Sequence, residues 1–275
     1  MTEIIAKKQF GQNFLVDKKA QDKVVTRMHE LVSQYPDRFL LEIGPGQGDL
    51  TKYILNFSRR LLAIEIDYRA IGLLESKFQD HTNFELIQAD ALKVLASEDI
   101  TSSRLNSSFI LLASLPYNLG SRILVQLAIA VPDTPFAVIL QREVVLKAVK
   151  KHSFTFFGAW LNLFWDLEHK FDIHPHSFSP QPKVTSGLMT GIPKKTNKLE
   201  FYLTSSKKRT KVKNVLKAIF ANPSKTLANN LKNLDWTKNQ IDLFFEECSL
   251  DHKTRLSWDN YIDILSYICA REVKN

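Results

Sequence analysis

Five short apolar runs, separated by segments with helical spacing, constrain the fold of this chain more than any other feature. The runs occupy residues 39–43, 61–67, 84–90, 109–113 and 136–140. After the second run, Ile71, Leu74 and Phe78 recur at the spacing of one helix face. Short buried strands that alternate with helices predict an α/β fold built on a doubly wound, mostly parallel sheet.

The chain changes character after the fifth run, which indicates a second, smaller domain. An aromatic-rich stretch over residues 154–178 has rings at helical spacing, with a strand as the alternative, and residues 193–198 have the composition of a linker. Beyond the linker, apolar residues mark the buried face of an amphipathic helix: Val212, Val215, Leu216, Ile219 and Phe220. We therefore predict a larger domain over residues 1–193 and a small helical domain over residues 194–275.

Positive charge is concentrated at the start of the predicted second domain. The chain has a formal net charge of +8, and residues 194–232 contain eleven Lys or Arg against the single acid Glu200. That segment therefore carries +10 and the remainder about −2. A local basic excess is typical of a surface that binds a polyanion, with a solvated helix face as the alternative. The candidate contacts are Lys207, Lys208, Arg209, Lys211 and Lys213.

Several classes of protein are disfavoured by what the sequence lacks. No run approaches the roughly 20 apolar residues of a membrane span, and the first eight residues lack the apolar core of a secretory signal. The two cysteines, Cys248 and Cys269, argue against a disulfide framework and cannot form a cysteine zinc site. We expect a cytoplasmic protein that does not use a metal.

A glycine-rich loop follows the first predicted strand, in the sequence Gly44-Pro45-Gly46-Gln47-Gly48. Glycines at such a turn let the backbone approach a ligand, but the G-x-G-x-G spacing is not the dinucleotide fingerprint. Glu65, 21 residues after Gly44, ends the second run and is placed to bind ribose hydroxyls; Asp90 ends the third and can accept from an adenine amine. Taken singly, the glycine loop indicates only a tight turn, and Glu65 and Asp90 are only acids at strand ends. Together they predict an adenosine pocket without a triphosphate motif, for which S-adenosylmethionine is the fitting cofactor.

The fourth predicted strand runs into ASLPYNLGS, residues 113–121. Ligands of open α/β sheets bind at such strand ends, and a cofactor across the first three would direct its methyl group toward the fourth. Tyr117 supplies a face for a planar base. The hydroxyl of Ser114 and a backbone carbonyl supply acceptors for an exocyclic amine. The alternative is an ordinary turn in which Pro116 stops the strand and Ser121 caps the next helix.

The same motifs resemble those of the ribosomal RNA adenine dimethyltransferases, nearly end to end and in order. The matching segments are KQFGQNFL at 8–15, GPGQG at 44–48, IEID at 64–67, SLPYN at 114–118, FSPQPKVTS at 178–186 and KTLANNL at 225–231. The first and last favour the small-subunit KsgA type over the large-subunit Erm type. The resemblance implies a Rossmann-like methyltransferase domain that uses S-adenosylmethionine, followed by a small helical domain that binds RNA.

The resemblance also implies residue roles. It places Asn13 and Leu15 against the cofactor, Gly44 against its methionine part, Glu65 on the ribose and Asp90 on the adenine. With the loop and strand-end arguments, the predicted cofactor-binding residues are Asn13, Leu15, Gly44, Gly46, Glu65, Asp90 and Ser114. The predicted catalytic residues are Ser114, Leu115, Pro116 and Tyr117.

One position departs from the family pattern, which usually has Asn where this chain has Ser114. Serine keeps an acceptor but is shorter and lacks the amide, so we expect weaker alignment of the target amine. The main hypothesis is dimethylation of adenines in small-subunit (16S) ribosomal RNA by a monomer acting on an immature subunit. The alternatives are a large-subunit adenine methylase of the Erm type and an RNA-binding assembly factor with weakened methylation.

Overall fold

The computed structural model describes residues 12–97, 108–149, 154–195, 198–222 and 224–273. The first four residues of KQFGQNFL and two residues of the predicted linker lie outside these ranges. The chain forms two compact units, which we name the first unit (Met1–Leu146 with Trp165–Pro193) and the second unit (Lys147–Phe164 with Lys194–Asn275).

A seven-stranded sheet organises the first unit. Its strands, with β1 and β8 forming a separate pair, are β1 (Phe14–Leu15), β2 (Phe39–Ile43), β3 (Leu61–Glu65), β4 (Phe84–Gln88), β5 (Phe109–Ser114), β6 (Phe136–Gln141), β7 (Trp165–Ile173), β8 (Phe178–Ser179) and β9 (Ser186–Pro193). The order across the sheet is β4-β3-β2-β5-β6-β9-β7. Strands β2 to β6 are mutually parallel, which confirms the predicted doubly wound, mostly parallel sheet.

Helices connect the parallel strands and continue through the second unit. They are α1 (Lys18–Val32), α2 (Thr51–Ile54), α3 (Tyr68–Phe78), α4 (Ala91–Ala96), α5 (Gly120–Ala130), α6 (Arg142–Ala148), α7 (Phe156–Leu161), α8 (Ser206–Ile219), α9 (Leu227–Leu231), α10 (Lys238–Glu247) and α11 (Tyr261–Glu272). Asp17, Asp67 and Asp90 begin α1, α3 and α4, because each carboxylate accepts a hydrogen bond from a free backbone N–H of the first turn. Val24 and Met28 of α1 pack in the core with Leu40 of β2.

Two antiparallel strands, β7 and β9, complete the sheet; the sequence left β7 open between helix and strand and did not predict β9. Strand β9 pairs with both β6 and β7. The aromatic-rich stretch, for which helix and strand were both open, is helical over α7 and becomes a strand in β7. Strand β1 pairs with β8, with Phe14 opposite Ser179 and Leu15 opposite Phe178. This pairing brings the N-terminal motif against the segment 178–186.

The second unit is helical, and it includes residues 147–164, which the sequence placed in the larger domain. The physical reason is an aromatic cluster: the ring of Phe154 lies 4.8 Å from that of Phe220 and 4.9 Å from that of Trp258. The predicted amphipathic helix is α8, whose buried face carries Val212, Val215, Leu216 and Ile219. No helix in the described ranges has the length and hydropathy to cross a membrane.

Candidate functional site

One cavity opens at the carboxyl ends of β2, β3, β4 and β5, where ligands bind in open α/β sheets. Every residue that the sequence predicted for cofactor binding or catalysis lines it: Asn13, Leu15, Gly44, Gly46, Glu65, Asp90, Ser114, Leu115, Pro116 and Tyr117. The fold thus brings three strand-end motifs and the N-terminal motif together. The five predicted basic residues lie elsewhere, on α8 of the second unit.

The glycine loop owes its conformation to residues without a Cβ atom. Gly44, Gly46 and Gly48 have φ of 69°, 59° and 78°, the left-handed region that other residues avoid. At Gly46, a Cβ atom would also lie 2.7 Å from the ring of Phe14 in β1. A Cβ at Gly44 would lie 3.9 Å from Pro116, an ordinary van der Waals distance, so the loop passes beside the SLPYN segment with more room than it has at Phe14. The loop is therefore packed closely against β1 and lies beside the SLPYN segment.

The carboxylate of Glu65 is held by the backbone around it. It accepts hydrogen bonds from the amides of Gly46 at 3.1 Å, Ile66 at 2.8 Å and Asp67 at 2.9 Å. Burial raises the pKa of Glu65, and these three hydrogen bonds oppose the rise. The three hydrogen bonds fix the orientation of the side chain. Because two carboxylate oxygens offer about four acceptor positions, the side chain keeps acceptor capacity for a ligand hydroxyl.

Asp67 and Gln12 also belong to this region, and sequence reasoning assigned neither a role. The side-chain amide of Gln12 donates to the Asp67 carboxylate at 3.1 Å, and Arg69 pairs with the same carboxylate. The Arg69 guanidinium holds the pKa of Asp67 below its ordinary value. The aspartate of the IEID motif therefore anchors Gln12, two residues before β1, beside the cavity. The signal in the sequence was only its position two residues after Glu65.

Glu42 is a further residue that sequence reasoning missed. It lies in β2 with 2% exposure, and the Thr51 hydroxyl donates to its carboxyl group at 2.7 Å. Burial, with smaller contributions from nearby Glu65 and Asp49, raises the pKa of Glu42 to about 8. The signal available in the sequence was an acid inside an otherwise apolar strand. A strand that is buried on both faces makes a charged carboxylate costly unless the group is neutral or paired.

The charge of the cavity selects the ligand class. Besides Glu42, which burial keeps protonated up to about pH 8, three acids line it, Asp49, Glu65 and Asp90, and its lining residues in the described part of the chain include no Lys, Arg or His. Asp90 also accepts from the Leu92 amide at 2.8 Å. Opposite charges attract strongly where water is partly excluded. The cavity therefore favours a cationic ligand and disfavours a phosphorylated one.

The SLPYN segment forms a turn at the end of β5. Ser114 is half-buried at the strand end, and the amide of Leu115 continues the ladder to Ile139 at 3.1 Å. The carbonyl of Pro116 then accepts from the amide of Gly120 at 2.8 Å. Helix α5 begins without a side-chain cap, so the expectation in the alternative hypothesis that Ser121 caps it is wrong.

The ring of Tyr117 is half-buried, and its hydroxyl is hydrogen-bonded to that of Ser186 at the start of β9. Burial raises the pKa of the Tyr117 phenol, and the Ser186 hydrogen bond opposes the rise. The phenol is therefore neutral at ordinary pH.

The basic residues of α8 differ from one another in exposure. Lys207 is exposed, and the Lys208 ammonium lies 4.4 Å from the ring centre of Phe201. Lys211 and Lys213 are half-buried, and burial lowers the pKa of Lys213. Arg209 is a correction to the predicted set: it is only 8% exposed and donates to the carbonyl of Leu203 at 2.7 Å. Its helix position turns it inward, so its guanidinium serves the interior of the second unit.

The protein has a doubly wound sheet with this glycine loop, acids at the strand ends and the ring of Tyr117 beside them. This combination defines a Rossmann-like methyltransferase. Comparison with known proteins then gives the family. A family model described as ribosomal RNA adenine dimethylase matches residues 5–269. The chain belongs to the ribosomal RNA adenine dimethylase family, which confirms the resemblance drawn from the motifs.

Individual relatives agree. The chain is 34% identical to the ribosomal RNA small subunit methyltransferase A of Persephonella marina, over 94% of this chain and 92% of the relative. It is 31% identical to the protein of the same name from Campylobacter hominis, over 98% of this chain and 99% of the relative.

Solved structures share the fold. The 23S rRNA methyltransferase ErmE superposes with a TM-score of 0.63 at 20% identity, covering 95% of this chain and 100% of that one. A dimethyladenosine transferase from Plasmodium falciparum superposes with a TM-score of 0.63 at 20% identity, covering 94% of this chain and 90% of that one. At this identity the likeness concerns the fold alone.

Proposed function

We propose that this protein transfers two methyl groups from S-adenosylmethionine to the exocyclic amine of each target adenine in small-subunit (16S) ribosomal RNA, during ribosome biogenesis. The observation that carries the proposal is the single cavity in which the glycine loop, Glu65 and the SLPYN segment meet. Family membership and the names of the two relatives support the substrate.

The charge of the cavity supports the cofactor. S-adenosylmethionine supplies a methyl group activated by a positively charged sulfur, and three acids besides the protonated Glu42, with no basic lining residue in the described part of the chain, suit a cation. Glu65 is oriented to accept from a ribose hydroxyl, and Asp90 has a carboxylate oxygen for the adenine amine beyond the one that caps α4. The pyrophosphate of NAD would meet the same acids without a counter-charge.

The chain's own contribution to methyl transfer is alignment. Segment 113–121 contains no acidic or histidine side chain, and the Tyr117 phenol is neutral, so neither removes a proton. Tyr117 offers its ring face to an unstacked adenine, and Ser114 and a neighbouring carbonyl accept hydrogen bonds from the amine. Holding the reacting atoms in line supplies much of the acceleration of such a reaction. A base inside a helix cannot reach this cavity, so the target is flipped or single-stranded.

The RNA contacts that we propose are four lysines of α8, of which Lys207 is exposed and the other three, Lys208, Lys211 and Lys213, are half-buried. A basic surface that neutralises phosphates is the general basis of RNA affinity. We further propose that the partner is an immature small subunit and that the protein acts as a cytoplasmic monomer.

One observation favours a second candidate. Ser114 is shorter than the asparagine usual in the family, which would weaken alignment of the amine and suits an RNA-binding assembly factor with little methylation. The large-subunit hypothesis has less support, because the ErmE likeness is one of fold at 20% identity.

Purified protein with methyl-labelled S-adenosylmethionine tests these alternatives. We expect two methyl groups per target adenine on immature small subunits and none on naked large-subunit RNA. Ser114→Asn should preserve or raise the single-turnover rate, and Ser114→Ala should lower it. A parent protein that binds both ligands and transfers nothing would replace the enzyme proposal with the assembly-factor one, and label on the large-subunit RNA alone would favour the Erm type.

A further inference from the structure

The hydrogen bond between Tyr117 and Ser186 joins two sequence motifs that the proposed mechanism leaves unconnected. The two residues are 69 positions apart in the chain. Ser186 begins β9, lies opposite Gln141 of β6 and Ile173 of β7, and is fully buried. Its hydroxyl therefore sits at the same edge of the sheet as the cavity.

The burial of Ser186 makes the contact specific. With 0% exposure its hydroxyl has no access to water, and a buried hydroxyl without a partner is costly. Within the described part of the chain, the two hydroxyl groups are hydrogen-bonded to each other and to no other group. Breaking it would leave Ser186 unsatisfied, which opposes any swing of the ring away from β9.

The consequence is a tyrosine held at both ends. Its backbone follows Pro116 in the turn after β5, and its hydroxyl is tied to β9. A half-buried ring tied at its Cβ and at its hydroxyl keeps its long axis in one direction before any ligand arrives. Holding a group in its productive orientation lowers the entropy that must be lost on binding and in the reaction.

We propose that Ser186 is a positioning residue for methyl transfer, whose hydroxyl fixes the direction of the long axis of the Tyr117 ring, and so the position of the ring on which the target adenine stacks. The inference rests on the proposed function. It gives the Tyr117 hydroxyl an anchoring role, and it makes β9 a part of the substrate site.

A double-mutant cycle tests the proposal in the full-length protein. Ser186→Ala and Tyr117→Phe each remove one partner of the bond, and Tyr117→Phe keeps the ring. We expect each change to lower the single-turnover methylation rate on immature small subunits by about two- to tenfold. The double variant should be no slower than the slower single variant, and the Kd for S-adenosylmethionine should stay within about twofold of the parent value in all three. Thr190→Val, which removes another buried hydroxyl from β9, should leave the rate unchanged.

The outcomes separate the inference from the function on which it rests. Rate losses that multiply in the double variant, or an unchanged rate in Tyr117→Phe, would overturn the positioning role. If Ser186→Ala unfolds, Tyr117→Phe still decides the question, because it breaks the same bond without opening a cavity in β9. A parent protein that transfers no methyl group would refute the proposed function itself.

Discussion

Glu42 allows a sharp prediction about the pH dependence of stability. In the unfolded chain a glutamate loses its proton near its ordinary pKa of 4.5, whereas the buried Glu42 carboxyl keeps its proton up to about pH 8. Between these values the unfolded state binds fewer protons than the folded state. The free energy of unfolding therefore falls as pH rises through this window, by up to about 1.4 kcal/mol per pH unit.

Glu42→Gln isolates this effect. The amide keeps a carbonyl oxygen for the Thr51 hydroxyl, which donates at 2.7 Å in the parent, and it has no proton to lose. Over the interval from pH 4.5 to about 8, the parent should lose at most about 5 kcal/mol that the variant keeps. The two proteins should be about equally stable near pH 4.5, and their difference should level off above pH 8.

Urea unfolding of the ligand-free proteins at intervals from pH 5 to pH 9 measures the difference. Glu75→Gln is the matched control, because Glu75 is an exposed carboxyl on α3 that meets water in both states, and its curve should run parallel to that of the parent. Parallel curves for Glu42→Gln and the parent would refute the argument that Glu42 is held neutral by burial.

The remaining predictions concern ligands. Glu65→Ala should weaken S-adenosylmethionine binding by about 1.5–3 kcal/mol, and an unchanged affinity in calorimetry would remove Glu65 from the cofactor site. Tyr117→Ala should lose roughly 1–3 kcal/mol of base stacking in RNA binding while cofactor affinity stays the same; equal RNA affinity would exclude stacking on this ring. Lys207→Ala with Lys208→Ala should flatten the dependence of log affinity on log salt by about 0.7–0.9 for each phosphate that the pair neutralises. Lys238→Ala, at an exposed lysine of α10, should not change that slope. If the double variant has the same slope as the parent, Lys207 and Lys208 do not contact phosphates and belong to a solvated surface.

Local patterns in the sequence determined much of the first unit. The parallel strands follow apolar runs because a strand buried on both faces must be apolar along most of its length. Gly44 and Gly46 were recognisable because the backbone they adopt is open to few other residues. Glu65 and Asp90 could be placed together from sequence alone, since parallel strands end at one edge of their sheet.

Only the tertiary structure decided the features that depend on distant pairing. Antiparallel strand β9 joins β6 and so brings Ser186 to Tyr117, and nothing within either motif encodes that pairing. Arg209 carries the same charge as its lysine neighbours, yet its place on the helix turns it inward to the carbonyl of Leu203. Glu42 is chemically an ordinary glutamate, and the apolar core and neighbouring acids around it keep its proton in place. A residue's charge and shape are local properties, whereas its burial and its partners belong to the folded chain.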